Sequence, residues 1–341
     1  LAGYYVANSI WEGNLMESVK EACDNRNPAL DVSKGLGILC IILSHVTTDG
    51  ESLRYFLFAF HVPLFFLLSG YFFKADIKKV RYRIIKYLLL YIILSMLDIV
   101  ILYFFNPQLL NVKIVVEGFL GLDSQMIFNS PKWFLLTLLG VQTIAVFILK
   151  LARVKQVAWI IFFGVIGYVL RYPCRGCLCA CFVAMIFFYS GYILKETKGL
   201  QTFMSFFSDK IKLFLAIFMF IIVWKLGKYN GMVSIQKLIY GHYILFYIDA
   251  YIGIFSVLFL GAVLAGSRVL KFLGKNTFLI FLTHYYLVRG VGPRIFPNLY
   301  NCFIGEIILV IATVIIYLPV IKAYTLLSYR FRDRCFAGDK E

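Results

Sequence analysis

Charge is scarce in this chain. Of 341 residues, 15% are Asp, Glu, Lys or Arg, against 61% hydrophobic. A soluble protein of this length needs far more polar surface to cover its core, which excludes a water-soluble globule. Equally absent are the alternating polar and apolar segments of about ten residues that mark a membrane β-barrel. The apolar runs are continuous instead, as in "IIFFGVIGYVL" and "EIILVIATVIIYLPV". About 20 such residues cross a hydrocarbon core of roughly 30 Å as a helix. There is no basic domain either. The net charge of +16 falls mainly in short segments between apolar runs, a positive-inside pattern that speaks against a nucleic-acid partner. The N-terminal "NLMESVKEACDNRNP" lacks the apolar core of a cleaved signal peptide. The first apolar run is therefore expected to act as an uncleaved signal anchor.

Zinc-ligand spacing is also missing. Four of the eight cysteines cluster in "CRGCLCACF", at Cys174, Cys177, Cys179 and Cys181. A C-x-x-C pair can open a metal site, but no second ligand pair follows elsewhere. The cluster runs into an apolar helix, where thiols pack as small hydrophobes. No metal is expected, and a disulfide or metal role for the cluster stays the lesser alternative.

Apolar runs separated by charged, Pro and Gly residues predict helices near 30–47, 55–73, 83–105, 132–150, 156–171, 178–194, 211–225, 243–266, 276–290 and 303–325. The run at 156–171 is short for a crossing. No repeat or low-complexity linker interrupts them. The expected architecture is all-α: a polytopic membrane helix bundle of about ten transmembrane helices, with the lipid bilayer as its first partner. A polar segment covers 1–29, the transmembrane domain 30–325 and a basic tail 326–341. Most of the 34 Lys and Arg residues lie on the same side as the termini when the ten spans alternate. That predicts both termini in the cytoplasm and a multi-pass protein of the cell membrane.

What is present at the first span then needs a reason. "DVSKGLGILCIILSHV" holds Asp31, Lys34 and His45, and polar groups in a membrane segment are expensive. Eleven residues bring Lys34 and His45 within about 20° of the same helix face, roughly 16 Å apart along the axis. Asp31 lies one turn before Lys34, close to that stripe. Asp31 and Lys34 either snorkel to the interface or form, with His45, a functional polar line. In the second span, "FLFAFHVPLFFLLSGYFF", His61 precedes Pro63, which frees a backbone carbonyl and kinks a helix. Ser69 and Gly70 read equally as a packing seam or as a substrate contact. Arg81, Arg83 and Lys86 follow, explained either by topology alone or as a phosphate clamp. Trp133 in "SPKWFLLTLLG" occupies a default aromatic-belt position. Late in the chain, Asn276 and His284 stand on adjacent faces about 80° apart. His242 reads as solvated.

Taken together, these motifs resemble a known family. "D-x-x-K-G-x-x-x-L" with the histidine after "IILS", and "FHVPLFFLLSGYFF" with its Ser-Gly-aromatic element, resemble the first two spans of the acyltransferase-3 membrane family. The basic run, "WFLLTLLG" and the late Asn…His span follow in that family's order. The likeness covers about residues 28 to 325 and is greatest to sugar O-acetyltransferases of the fucose 4-O-acetylase type. It implies acetyl transfer from cytosolic acetyl-CoA to a hydroxyl of a cell-envelope glycan or lipid-linked sugar. His45 matches the family's essential histidine, and Lys34 stands where many members have arginine. Arg83 and Lys86, beside Arg81, match an Arg-x-x-Arg element at the CoA end, with lysine for the second arginine.

Histidine suits the chemistry implied, because its ordinary pKa near 6.5 makes it a competent base for an attacking hydroxyl. Asp31, roughly 16 Å or more from His45, is too far to orient that ring. His61, Ser69, Trp133, Asn276 and His284 are substrate or oxyanion candidates by location. The rival class is a transporter or flippase of glycan precursors, which buried ionisable residues and a proline-bearing helix also fit. Against it, the chain shows no paired half-sequences.

Overall fold

The computed structural model describes residues 27–47, 51–109, 111–120, 129–172 and 176–337. The expected polar segment lies outside these residues except for positions 27–29, as do Cys174 and the last four positions of the expected tail.

The first helix, α1 (Pro28–Val46), begins where its sequence says it should. Pro28 stands at the first turn, where no amide partner is needed, and the Asn27 side chain accepts a hydrogen bond from the Ala29 amide at 3.0 Å. Next come α2 (Glu51–Tyr71) and α3 (Ile77–Phe105), the latter capped by Asp76, which accepts from the Lys78 and Lys79 amides. A short α4 (Val112–Leu120) precedes α5 (Trp133–Ile148), α6 (Arg153–Val169) and α7 (Cys177–Glu196). The chain continues through α8 (Gly199–Ser205), α9 (Asp209–Asn230) and α10 (Tyr243–Val263). It then enters α11 (Arg268–Lys275) and α12 (Thr277–Tyr285), which runs into a π-helical turn at Tyr286–Val291 and the four-residue α13 (Gly292–Ile295). A long α14 (Phe303–Ala337) closes the described chain.

The protein is thus an all-α helix bundle. Seven helices among the described residues are long and apolar enough to cross a membrane: α1, α2, α3, α5 with its preceding turn, α7, α10 and the first part of α14. The other three expected spans are also helical. Of these, α6 has 17 residues, α9 carries lysines near both ends, and the last is interrupted by the π-turn. α2 runs unbroken through Pro63. The last span, Phe303–Ala323, falls where it was expected, and its helix continues to Ala337.

α1 sits at the centre, packed on α2, α10, α11, α12 and α14, while α2 also meets α7, α9 and α10. The outer helices turn apolar side chains outward. Leu89, Ile93 and Val100 on α3, and Phe214, Ile217 and Ile221 on α9, are all exposed. Contiguous apolar surface of this kind is foreign to a soluble protein and suits lipid. The inner helices need close backbone approach, because hydrocarbon solvent supplies no hydrophobic drive to bring them together. The α2–α7 crossing shows how this is met. A Cβ on Gly70 would stand 1.8 Å from the Phe188 carbonyl oxygen, and one on Gly191 would stand 1.9 Å from that of Leu67. Both reciprocal contacts are with backbone and cannot be relieved by a side-chain rotation.

Gly191→Leu is therefore expected to destabilise the detergent-solubilised protein by about 1–3 kcal/mol or more through overpacking. Ile93→Leu on the outward face should leave the thermal midpoint unchanged in the same melting assay.

Candidate active site

Three helices carry their polar residues in register. On α2, Arg54, Phe58, His61, Phe65 and Leu68 recur at three- or four-residue steps, with Phe72 one step further on just past its end, so they share one face. On α12, Thr277, Phe281 and His284 do the same, and α1 contributes Lys34 and His45. The result is a layered path along the bundle.

At one end lies a cavity of about 300 Å³. Lys34, Ser69, Arg83, Gln142 and Thr277 supply its polar wall. Lys34 is paired with the buried Asp31 at 3.3 Å and stands 4.1 Å over the ring of Phe72. The arginine donates from Nη1 to the Gln142 Oε1 at 3.4 Å. Phe72 and Phe278, both exposed, mark the mouth. Arg81 and Lys86, in contrast, are exposed and do not line the cavity. A guanidinium and an ammonium in one small cavity favour a ligand with anionic or strongly accepting groups.

The far wall of this cavity is aromatic. Phe281 packs 5.0 Å from Phe134 and 6.4 Å from Phe65, measured between ring centroids. Beyond it, 6.2 Å from the Phe281 ring, comes His284. The His45 ring lies 5.3 Å from His284 and 5.3 Å from Tyr285, the latter edge-on. His61, buried and edge-on to Phe58, lies within electrostatic reach of both other imidazoles. Three of the four histidines of the chain therefore converge from α1, α2 and α12. His242 is exposed and stacked on Tyr229.

Backbone contacts assign the tautomers. His284 Nδ1 faces the carbonyl oxygens of Ile280 and Phe281 at 3.0 and 2.8 Å. Carbonyls only accept, so the hydrogen of the neutral ring resides on Nδ1. Nε2 then presents a lone pair, and it is buried without a hydrogen-bond partner among the described residues. His61 Nδ1 likewise faces the Leu57 carbonyl. These neutral rings offer proton acceptors rather than N–H donors toward the cluster, an arrangement suited to base chemistry.

Two oxyanion candidates stand apart from the cluster. Ser69 lines the cavity on the other side of the aromatic wall, and the Asn276 amide donates to the Phe272 carbonyl at 2.8 Å. Trp133 corrects the aromatic-belt reading. It is 5% exposed and packs 6.3 Å from Phe66, because α5 turns this face into the bundle rather than toward lipid. Cys177, Cys179 and Cys181 each lie near a backbone carbonyl: Trp133, Leu170 and Thr137 respectively. Among the described residues, no group of three or more His, Cys, Asp and Glu side chains is arranged to hold a metal.

A second polar centre escaped the sequence reading. Asp98 on α3 and Lys132 at the start of α5 form a fully buried ion pair. Asp98 also accepts from the Tyr286 hydroxyl at 2.7 Å and the Asn129 amide at 3.2 Å. The Asn129 side chain donates in turn to the Leu282 carbonyl at 2.6 Å. This network grips α12 on both sides of His284. The π-turn follows immediately, and the Tyr300 hydroxyl donates to the Val288 carbonyl within it. A single ionisable residue inside "LSMLDIVIL" was the available signal for Asp98.

A family profile described as an acyltransferase domain matches residues 27–322. No curated protein and no solved structure matches the chain.

Lys132→Met should cost about 3–5 kcal/mol, because it strands the Asp98 carboxylate in the interior. Adding Asp98→Leu should recover most of that loss. A double-mutant cycle on thermal midpoints in detergent checks both.

Proposed function

This chain belongs to the acyltransferase family whose domain it matches from residue 27 to 322, and on that premise we propose that it is an O-acetyltransferase of the cell membrane. The donor is cytosolic acetyl-CoA, and the acceptor is a hydroxyl of an envelope glycan or its lipid-linked precursor. The observation that carries the reading is the layered path: a cationic cavity, one aromatic layer, then three convergent imidazoles. Lys34 and Arg83 support donor binding at the cavity. A volume of about 300 Å³ is at the lower limit for ligand pockets and suits an acyl-pantetheine arm rather than a whole nucleotide. Arg81 and Lys86, exposed beside the mouth, are available to the phosphates outside it. Ten crossings with both termini cytoplasmic would put this mouth at the inner surface, where acetyl-CoA is found.

His45 is the general base in this reading. As the acceptor oxygen bonds to the acetyl carbon, the thioester C–S bond breaks. His45 takes the hydroxyl proton and returns it to the departing sulfur, so that CoA leaves as the thiol and the imidazole is neutral again. The lone pair on His284 Nε2, held toward the cluster by Nδ1 and left without a partner among the described residues, is available to accept a hydrogen bond from the His45 ring as that ring takes the proton. Phe281, with Phe65 and Phe134, keeps water from the thioester until an acceptor is bound, which limits hydrolysis.

The test is CoA release from acetyl-CoA by purified protein, with and without envelope glycan extract. Glycan-dependent release is expected, and His45→Ala should reduce it about 10²–10⁴-fold. Undiminished release in that variant would remove His45 as the base. No release with any extract would favour a transporter. Phe281→Ala should raise glycan-independent CoA release by opening the aromatic wall, measured in the same assay without extract.

A further inference from the structure

Above the histidines the path ends in two arginines. Arg54 stands on the same face of α2 as His61, two turns away, with its guanidinium 5.9 Å over the ring of Phe58. Arg289 lies in the π-turn, one turn beyond the Tyr285 that touches His45. Both guanidiniums lie within electrostatic reach of the His45 ring, and both are only partly exposed.

Their charge balance differs from that of the two lysines along this path. Lys34 has Asp31 and Lys132 has Asp98. Arg54 and Arg289 have no carboxylate partner among the described residues, and Arg54 Nε is buried without a hydrogen bond. Among the described side chains at this end, Glu306 accepts from the Thr47 hydroxyl at 3.1 Å. Partly buried guanidiniums without counter-charges are costly in a membrane protein and mark ligand sites. The π-turn adds an independent sign, since an extra residue per turn re-aims side chains and recurs at functional sites. Here it carries Arg289 on the segment that follows His284 and Tyr285.

We propose that Arg54 and Arg289 bind an anionic group of the acceptor, a carboxylate or a phosphate, beside the hydroxyl that His45 deprotonates. The proposal rests on the acyl-transfer reading and narrows its acceptor to acidic sugars or sugar phosphates. Guanidinium forks match the planar oxygens of either group with two parallel hydrogen bonds. Held this way, the acceptor is positioned by its charge while its hydroxyl faces the imidazoles.

The probes are glucuronate, glucose 1-phosphate, inorganic phosphate and neutral glucose, each titrated against the full chain in detergent by thermal shift. Anionic probes should stabilise the wild type where glucose does not. Arg54→Gln and Arg289→Gln should each weaken that response about tenfold or more, while Arg54→Lys, which keeps the charge, should retain part of it. Monodisperse elution establishes that each variant is folded. A response to glucuronate alone identifies a carboxylate, and a response to the phosphates alone identifies a phosphate. No response to any anionic probe overturns the proposal, as does a response equal in wild type and both Gln variants. CoA release measured on the same preparations separates the two claims. An intact anion response without release defeats the transfer reading, whereas intact release without an anion response defeats this site.

Discussion

Within the hydrocarbon core a polar atom has no water to turn to, so every donor and charge kept there must find its partner inside the protein. The Asp98–Lys132 pair is where this constraint acts most strongly. Neither charge is tolerable alone, and together they recruit Tyr286, the Asn129 amide and, through Asn129, the Leu282 carbonyl. Those contacts fall on either side of His284. The ion pair is thus less a source of stability than a means of setting the register of α12 against α3 and α5, a use of buried charge with precedent in other systems. The imidazole cluster inherits its geometry from that register.

Packing supplies the rest of the frame. With lipid outside as apolar as the side chains inside, helices hold together by close contact and van der Waals complementarity. Gly70 and Gly191 let α2 and α7 meet backbone to backbone. This fixes the face of α2 that carries His61 and Phe65 toward α1 and α12. Aromatic residues then fill the middle, and Phe65, Phe134 and Phe281 divide a cationic cavity from the histidines. One side of that wall suits a phosphorylated donor, the other a proton transfer.

Much of the site was legible before any coordinates. The Lys34–His45 stripe followed from helical periodicity, and along the path Lys34 sits at the cavity and His45 in the imidazole cluster. Asp31 proved to be the partner of Lys34, as their one-turn spacing allows. His61 and His284 could be named individually but not joined, because their convergence with His45 depends on how α2 and α12 cross α1. Arg81, Arg83 and Lys86 look equivalent in a basic run, yet only Arg83 turns into the cavity. Trp133 looked like an interfacial anchor and is a core residue. Lys132, its neighbour, is fully buried.

Sequence by itself determined the class of the protein. Long continuous apolar runs leave a chain no way to satisfy its backbone in lipid except as helices, and the helix ends follow from caps and prolines that act within a few residues. It also determined which side chains share a face, since 3.6 residues per turn is a local rule. What only the tertiary structure decided is which faces meet. The meeting of three histidines, the burial of Lys132 against Asp98 and the choice of Arg83 over its neighbours are set by crossings between helices far apart in sequence. Those crossings depend on the sum of many small packing contacts, and no local pattern encodes that sum.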